Sequence, residues 1–153
     1  MNNGSVYLTK EGFEELVKER DNLIGERPIA VGHLKAAREL GDLSENGYYK
    51  ASRAKLSFID SRLTHLKSII KNSKKITISS TNTVQIGNTV EIKNGNVNHI
   101  YKIVSKFEAD PMNKKISDMS PLGKALLGRK VGEKVNVITP SGAKEYTIVQ
   151  ITI

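Results

Sequence analysis

An α+β protein is predicted, with a long antiparallel helical hairpin in the first half and a small β-rich domain carrying one short helix in the second. Three observations predict it. A 3-4 apolar repeat runs along residues 49–70, charge and periodicity both change near residue 75, and short β-branched runs separated by Asn-Gly, Pro and Gly follow residue 89. The 153 residues accordingly divide into 1–75 and 76–153, with no internal repeat.

Composition narrows the chemistry. There are 24 Lys+Arg against 16 Asp+Glu, a formal net charge of +8, 38% apolar and 5% aromatic residues, and no Trp. That balance of charges does not suit a wholly disordered chain, and the few aromatics argue against one large aromatic core. With no Cys, disulfides, thiolate zinc sites and cysteine nucleophiles are excluded. No apolar run approaches the roughly 20 residues that span a bilayer, and Met1-Asn2-Asn3-Gly4 lacks the apolar core of a secretory signal. The expectation is a soluble, cytoplasmic protein without membrane contact.

Helical character begins near Glu11. Phe13, Leu16, Leu23, Ala30, Leu34 and Ala37 fit a heptad frame that Arg20 and Arg27 interrupt. Pro28 has no amide hydrogen and is expected to kink this helix or start a new stretch of it. The second segment is more regular: Tyr49, Leu56, Ile59, Leu63, Leu66 and Ile70 fall on successive seam positions, with Ser52 the one weak place. Residues 11–45 hold nine acids and five bases, whereas residues 50–75 hold eight bases and only Asp60. Two seams of opposite charge joined by a short loop are expected to pack antiparallel. Thirty helical residues make a rod about 45 Å long, too thin for an internal pocket, so any special chemistry belongs at its end or along one face.

Residues 76–90 carry no charge. Ile76-Thr77-Ile78 and Thr83-Val84-Gln85-Ile86 read either as linker or as edge strands. Thr89–Lys93 and His99–Val104 flank Asn94-Gly95-Asn96, a hairpin signal. Lys115-Ile116-Ser117 reads as a short strand. Ser120-Pro121 opens a helix, with Ser at the N-cap and Pro at the first helical position, and Gly128 suits its C-terminal end. Lys134–Thr139 and Lys144–Ile153 flank Pro140-Ser141-Gly142, a second hairpin. An antiparallel sheet with one short helix packed on it is the expected result.

The joint between the arms reads Leu40-Gly41-Asp42-Leu43-Ser44-Glu45-Asn46-Gly47. Gly41 suits the end of the first helix. Asp42 and Glu45 admit two readings. Their spacing is that of a capping box, in which each satisfies the other's amide, and Ser44 is a competing N-cap. Alternatively both carboxylates face solvent and share a hard cation such as Mg²⁺, which often takes one or two protein ligands and completes its shell elsewhere. Two carboxylates cannot close such a site, so a partner would complete the chemistry.

The stretch Ala37-Arg38-Glu39-Leu40-Gly41-Asp42-Leu43-Ser44-Glu45-Asn46-Gly47-Tyr48-Tyr49 resembles the tip signature of the bacterial GreA/GreB transcript cleavage factors, on the GreA-like side. Ser120-Pro121-Leu122-Gly123-Lys124-Ala125-Leu126-Leu127-Gly128-Arg129, followed by Val131-Gly132-Glu133, resembles their C-terminal motif, and Arg27-Pro28 matches their first helix. The resemblance spans about residues 5–153. It implies an N-terminal coiled coil that enters the secondary channel of RNA polymerase and an FKBP-like C-terminal domain that docks outside. It implies no enzymatic activity in the isolated chain: Asp42 and Glu45 are supplied in trans to help hold a Mg²⁺ shared with the polymerase active centre, which cleaves backtracked nascent RNA. Ser44 and Asn46 orient the tip. Arg38, Lys50, Arg53 and Lys55 form a basic patch for RNA phosphates, Arg38 and Arg53 by motif match. Ser120, Pro121 and Leu122 belong to the docking motif, with Lys124, Arg129 and Lys130 a basic surface beside it.

Two departures stand out. Gly47-Tyr48-Tyr49 replaces the family's usual Ala-Glu-Tyr, which removes one acid near the tip, and Met119 replaces a small polar residue. Tyr49 reads as core, while Tyr48 reads as either core or a stacking surface. His33, His65 and His99 show no metal spacing and take no role. Expected partners are RNA polymerase and nascent RNA in its channel; the charge also permits DNA contact, and the chain is expected to act as a monomer. Rival functions are a non-catalytic channel-binding regulator or inhibitor of polymerase, and a coiled-coil nucleic-acid-binding module unrelated to it.

Overall fold

A computed structural model describes residues 5–41 and 46–153. It contains two compact units, one formed by Phe13–Ser73 and the other by Lys74–Ile153 together with the chain up to Gly12. This differs from a single division at residue 75, because the first strand belongs with the β-rich unit. Strand β1 (Val6–Leu8) pairs with β2 (Ser73–Lys75) in a two-stranded sheet, and the Ile76 amide extends the pairing to the Leu8 carbonyl at 2.8 Å. No alternation in so short a segment marks it as a strand.

The hairpin unit contains most of helix α1 (Lys10–Glu39) and all of α2 (Gly47–Asn72). Leu16, Leu23, Ala30, Leu34 and Ala37 on α1 are buried, as are Ser52, Ile59, Leu63 and Leu66 on α2. At the far end of α2 the buried residue is Ile69, and Ile70, the expected seam residue, is half-buried.

Helix α1 runs through Pro28 without a break. The proline leaves the Ile24 carbonyl without its usual helical donor, and cross-hairpin ion pairs in the turns before it tie α1 to α2. Arg62 Nε and Nη2 donate to the Glu19 carboxylate at 2.6 and 2.8 Å, and Arg27 Nε and Nη2 donate to Asp60 at 2.6 and 3.2 Å. Lys55 lies 3.3 Å from Glu26. From Glu19–Arg62 to Glu26–Lys55 the α1 member advances seven residues while the α2 member retreats seven, which is the antiparallel register. Arg27, which interrupts the apolar seam in sequence, snorkels to its edge and pairs there.

In the β-rich unit five strands lie in the order β5-β4-β3-β7-β6: β3 Thr89–Asn94, β4 Val97–Val104, β5 Lys115–Ser117, β6 Lys134–Thr139 and β7 Gly142–Thr152. Both predicted hairpins close through two-residue loops, Gly95-Asn96 between Asn94 and Val97, and Pro140-Ser141 between Thr139 and Gly142. Gly95 takes φ 57°, which costs glycine nothing. The sheet is not wholly antiparallel: β5 pairs in parallel with β4. After a 3₁₀ turn at Pro111–Asn113 the chain runs beside Lys102–Val104, the last residues of β4, in the same direction rather than doubling back, a crossover that a three-residue strand does not announce.

Val90, Ile92, Ile103, Val135, Val137, Ile148 and Ile151 form the core with Val84 and Leu126. On β7 strict alternation would bury Ile148 with Gln150. A bulge opposite Glu91 and Ile92 adds Val149, so Ile148 and Ile151 both point inward. Of the two uncharged runs, neither is a strand. Val84 is buried and exchanges backbone bonds with the end of the short helix, its amide to Arg129 O at 2.8 Å and its carbonyl to the Gly128 amide at 2.9 Å.

Helix α3 (Pro121–Leu126) covers part of the core. Its approach to β5 demands glycine: a Cβ on Gly123 would sit 2.1 Å from the Ser117 carbonyl oxygen. At the start of α1, Thr9 Oγ1 accepts from the Gly12 amide at 3.0 Å and donates to Glu108, whose other carboxylate oxygen accepts from the Thr9 amide at 3.2 Å. Lys102 approaches Glu11 at 3.9 Å. Backbone hydrogen bonding, with Lys102 beside it, holds the Glu11 carboxyl below its ordinary range.

Candidate functional site at the hairpin end

Helix α1 ends where the sequence places its stop. Gly41 has φ 104°, the left-handed conformation that glycine adopts at helix ends. Asp42, Ser44 and Glu45 lie outside the described residues, together with Leu43. On the far side the description resumes at Asn46, which is the N-cap of α2.

Asn46 makes two bonds with opposite ends of one amide. Its Oδ1 accepts from the Tyr49 amide at 3.0 Å, satisfying an orphan donor of α2. Its Nδ2 donates to the Ala37 carbonyl at 3.0 Å, satisfying an orphan acceptor in the last turn of α1. One side chain therefore fastens the two helices to each other where they meet. The sequence left the N-cap between Asp42 and Ser44. The capping box at Asp42-x-x-Glu45 requires a helix that begins at residue 43, whereas α2 begins at Gly47.

Arg38, Lys50, Arg53 and Lys55 are all exposed. Lys55 pairs with Glu26, and no ion pair involves the other three among the described residues. Further down the hairpin, hydrogen bonds from Arg62 hold the Glu19 carboxyl below its ordinary range against the opposing effect of burial, and those from Arg27 do the same for Asp60. Among the described residues no three His, Asp or Glu side chains converge as a metal site.

One pair escaped the sequence reading. His33 had no role and Tyr48 had two, yet Tyr48 Oη and His33 Nδ1 lie 3.2 Å apart with their rings edge to face at 68°. The signal was present in the register: the antiparallel frame set by Glu19–Arg62 and Glu26–Lys55 places His33 opposite Tyr48. Together they wall a groove of about 370 Å³ floored by Ala30, Ala51 and Ser52. Tyr49, the predicted core residue, is half-buried beside it in sequence.

In the β-rich unit the predicted docking motif forms a compact node. Ser120 Oγ caps α3 by accepting from the Gly123 amide at 3.0 Å and donates to the Ser117 carbonyl at 2.6 Å. Pro121 is exposed in the first helical position and Leu122 packs against the core. Met119 is exposed beside them, and its amide donates to Ser117 Oγ at 3.0 Å. Lys124, Arg129 and Lys130 are exposed, with Arg129 Nη1 3.6 Å from Glu133.

Both halves of the chain match known families. Residues 6–74 match the family described as transcription elongation factor, N-terminal, and residues 79–153 match transcription elongation factor, GreA/GreB, C-term. The chain is 40% identical over 156 residues to transcription elongation factor GreA of Thermosipho africanus, covering 100% of both chains. It is 41% identical over 150 residues to GreA of Thermotoga maritima, covering 95% of this chain and 96% of that one. Among solved structures, GreA factor homolog 1 of Thermus thermophilus is 29% identical with a TM-score of 0.46, covering 97% of this chain and 99% of that one.

Proposed function

This chain belongs to the GreA/GreB family of transcription elongation factors, and on that premise we propose that its helical hairpin delivers Asp42 and Glu45 to RNA polymerase to stimulate cleavage of the transcript. It acts through the polymerase and has no cleavage activity alone. The hairpin enters the secondary channel, the β-rich unit docks outside through Ser120, Pro121 and Leu122, and the substrate is backtracked nascent RNA.

The observation that carries this reading is the N-cap of α2. Asn46 performs the capping that otherwise competes for Asp42 and Glu45. The two carboxylates sit in the segment that joins the helices, and their oxygens are the hard donors that Mg²⁺ takes. Two such ligands are too few to hold the ion alone, so a partner would have to complete its shell. Asp42 and Glu45 would help hold that ion, which would supply water activation and charge stabilisation for the cleavage. Within this chain, Asn46 positions the segment by tying α2 to α1, and Arg38, Lys50, Arg53 and Lys55 neutralise RNA phosphates regardless of base sequence.

The test is a backtracked elongation complex incubated with polymerase and the parent protein, or with Glu45→Gln. Glutamine retains the hydrogen-bonding capacity of a cap but is a poorer Mg²⁺ ligand. The parent releases a short 3′ RNA fragment, and Glu45→Gln releases it at least tenfold more slowly. Equal rates remove the metal role from Glu45. Polymerase binding that slows synthesis without releasing RNA replaces this function with that of a non-catalytic channel regulator.

A further inference from the structure

We propose that the groove walled by His33 and Tyr48 seats one unpaired base of the nascent RNA, stacked on the Tyr48 ring; this rests on the function proposed above and names the part of the substrate that the hairpin holds. The groove lies between α1 and α2, immediately after Asn46. Its floor is made of small residues, Ala30, Ala51 and Ser52, and its walls are Ile29, 63% exposed, and Tyr48, 42% exposed. Its volume of about 370 Å³ is at the lower end of the range for small-ligand sites.

The Tyr48 ring has a partner at its hydroxyl end. Its hydroxyl is held to His33 Nδ1 at 3.2 Å, and the imidazole meets the phenol edge to face. An aromatic face fixed in this way loses little freedom when a base stacks on it.

Charge selects a nucleotide over an apolar protein segment as the occupant. Lys55 closes one end of the groove, and it belongs to an arm with eight bases and one acid between residues 50 and 75. Its pairing with Glu26 at 3.3 Å is between side chains that are 60% and 51% exposed, the kind of surface pair that exchanges readily for phosphate. An apolar slot beside a cationic arm complements a base carried on a phosphodiester backbone. An apolar peptide would fill the slot and leave the arm uncompensated.

The test uses backtracked complexes whose RNA carries 4-thiouridine at its 3′-terminal positions. After irradiation with the full-length protein, the RNA adduct is expected on the peptide containing Tyr48 or that containing His33. Tyr48→Ala is expected to lose at least nine-tenths of this adduct and to raise the protein concentration giving half-maximal cleavage about tenfold. Tyr48→Phe, which keeps the ring, stays within threefold of the parent on both measures. An adduct confined to polymerase, or one unaltered in Tyr48→Ala, overturns the proposal. A second experiment places a photoreactive phenylalanine analogue at position 48; crosslinking to polymerase alone assigns the groove to the channel wall. Release of the RNA fragment by the parent is scored separately, so loss of the stacking site and loss of the cleavage function are told apart.

Discussion

Replacing Asn46 by alanine removes two hydrogen bonds from the place where α1 meets α2. Loss of the N-cap, the bond to the Tyr49 amide at 3.0 Å, costs about 1 kcal/mol. Loss of the bond to the Ala37 carbonyl, also 3.0 Å, costs about another 1 kcal/mol. Together they weaken local closure by about 2 kcal/mol, which accelerates hydrogen exchange at the Tyr49 amide about thirtyfold. Asn46→Asp separates the two effects. Aspartate keeps the acceptor for Tyr49 and adds negative charge at a helix N-terminus, where it is favourable, but it has no donor for Ala37. Exchange at Tyr49 is therefore expected to rise less than tenfold in Asn46→Asp. In the fragment-release assay both variants slow cleavage, alanine more than aspartate. Tyr49 exchange equal to the parent's in Asn46→Ala would refute the assignment of Asn46 as the fastening residue. Equal exchange rates in the two variants would refute the division between cap and cross-helix bond.

Two further perturbations test the scaffold. Gly123→Ala drives a methyl group into the Ser117 carbonyl oxygen from 2.1 Å, forcing α3 off β5; a loss of about 1–3 kcal/mol is expected, read as a lower urea midpoint with an unchanged slope. The Glu19–Arg62 pair makes hairpin stability pH-dependent. Because Glu19 titrates below its ordinary value in the folded state, its contribution is fully present above the unfolded value of about 4.3 and is lost as pH falls through the lower folded value. Thermal melts between pH 7 and pH 3 are expected to show a smaller acid-side decline in Glu19→Gln than in the parent, and parallel declines would remove Glu19 from the linkage.

Much of this architecture is legible in the residues because it depends on local pattern. The seam from Leu56 to Leu66 repeats often enough to fix a face, and the opposite charges of the arms fix their direction. The Asn-Gly and Pro-Ser-Gly turns and the Ser120-Pro121 helix start each carry their own chemistry. What escaped depends on neighbours distant in sequence. Strand β5 is parallel because of where the preceding turn delivers it, and no feature of Lys115-Ile116-Ser117 records that. The Val149 bulge reverses the alternation that β7 displays in sequence. Val84 is anchored by the end of α3, dozens of residues away. At the hairpin end, Asp42, Ser44 and Asn46 are all good caps by type. What favours Asn46 is its side-chain amide, which donates to Ala37 while it accepts from Tyr49, a second duty that local propensity does not weigh. Pro28 reads as an interruption because a helix in isolation bears its full cost, whereas α1 is tied to α2 just ahead of the proline by Glu26 and Arg27.

The pairing of β1 with β2 makes the hairpin an insertion, since the strand before it and the strand after it belong to one sheet. On the ribosome β1 must wait, without its partner, until both helices have been synthesised. The same closure offers a way to build a ruler. Removing seven residues from each arm at facing positions would retract the end by about 10 Å while preserving the seam, so the reach of the probe could be varied without redesigning its anchor.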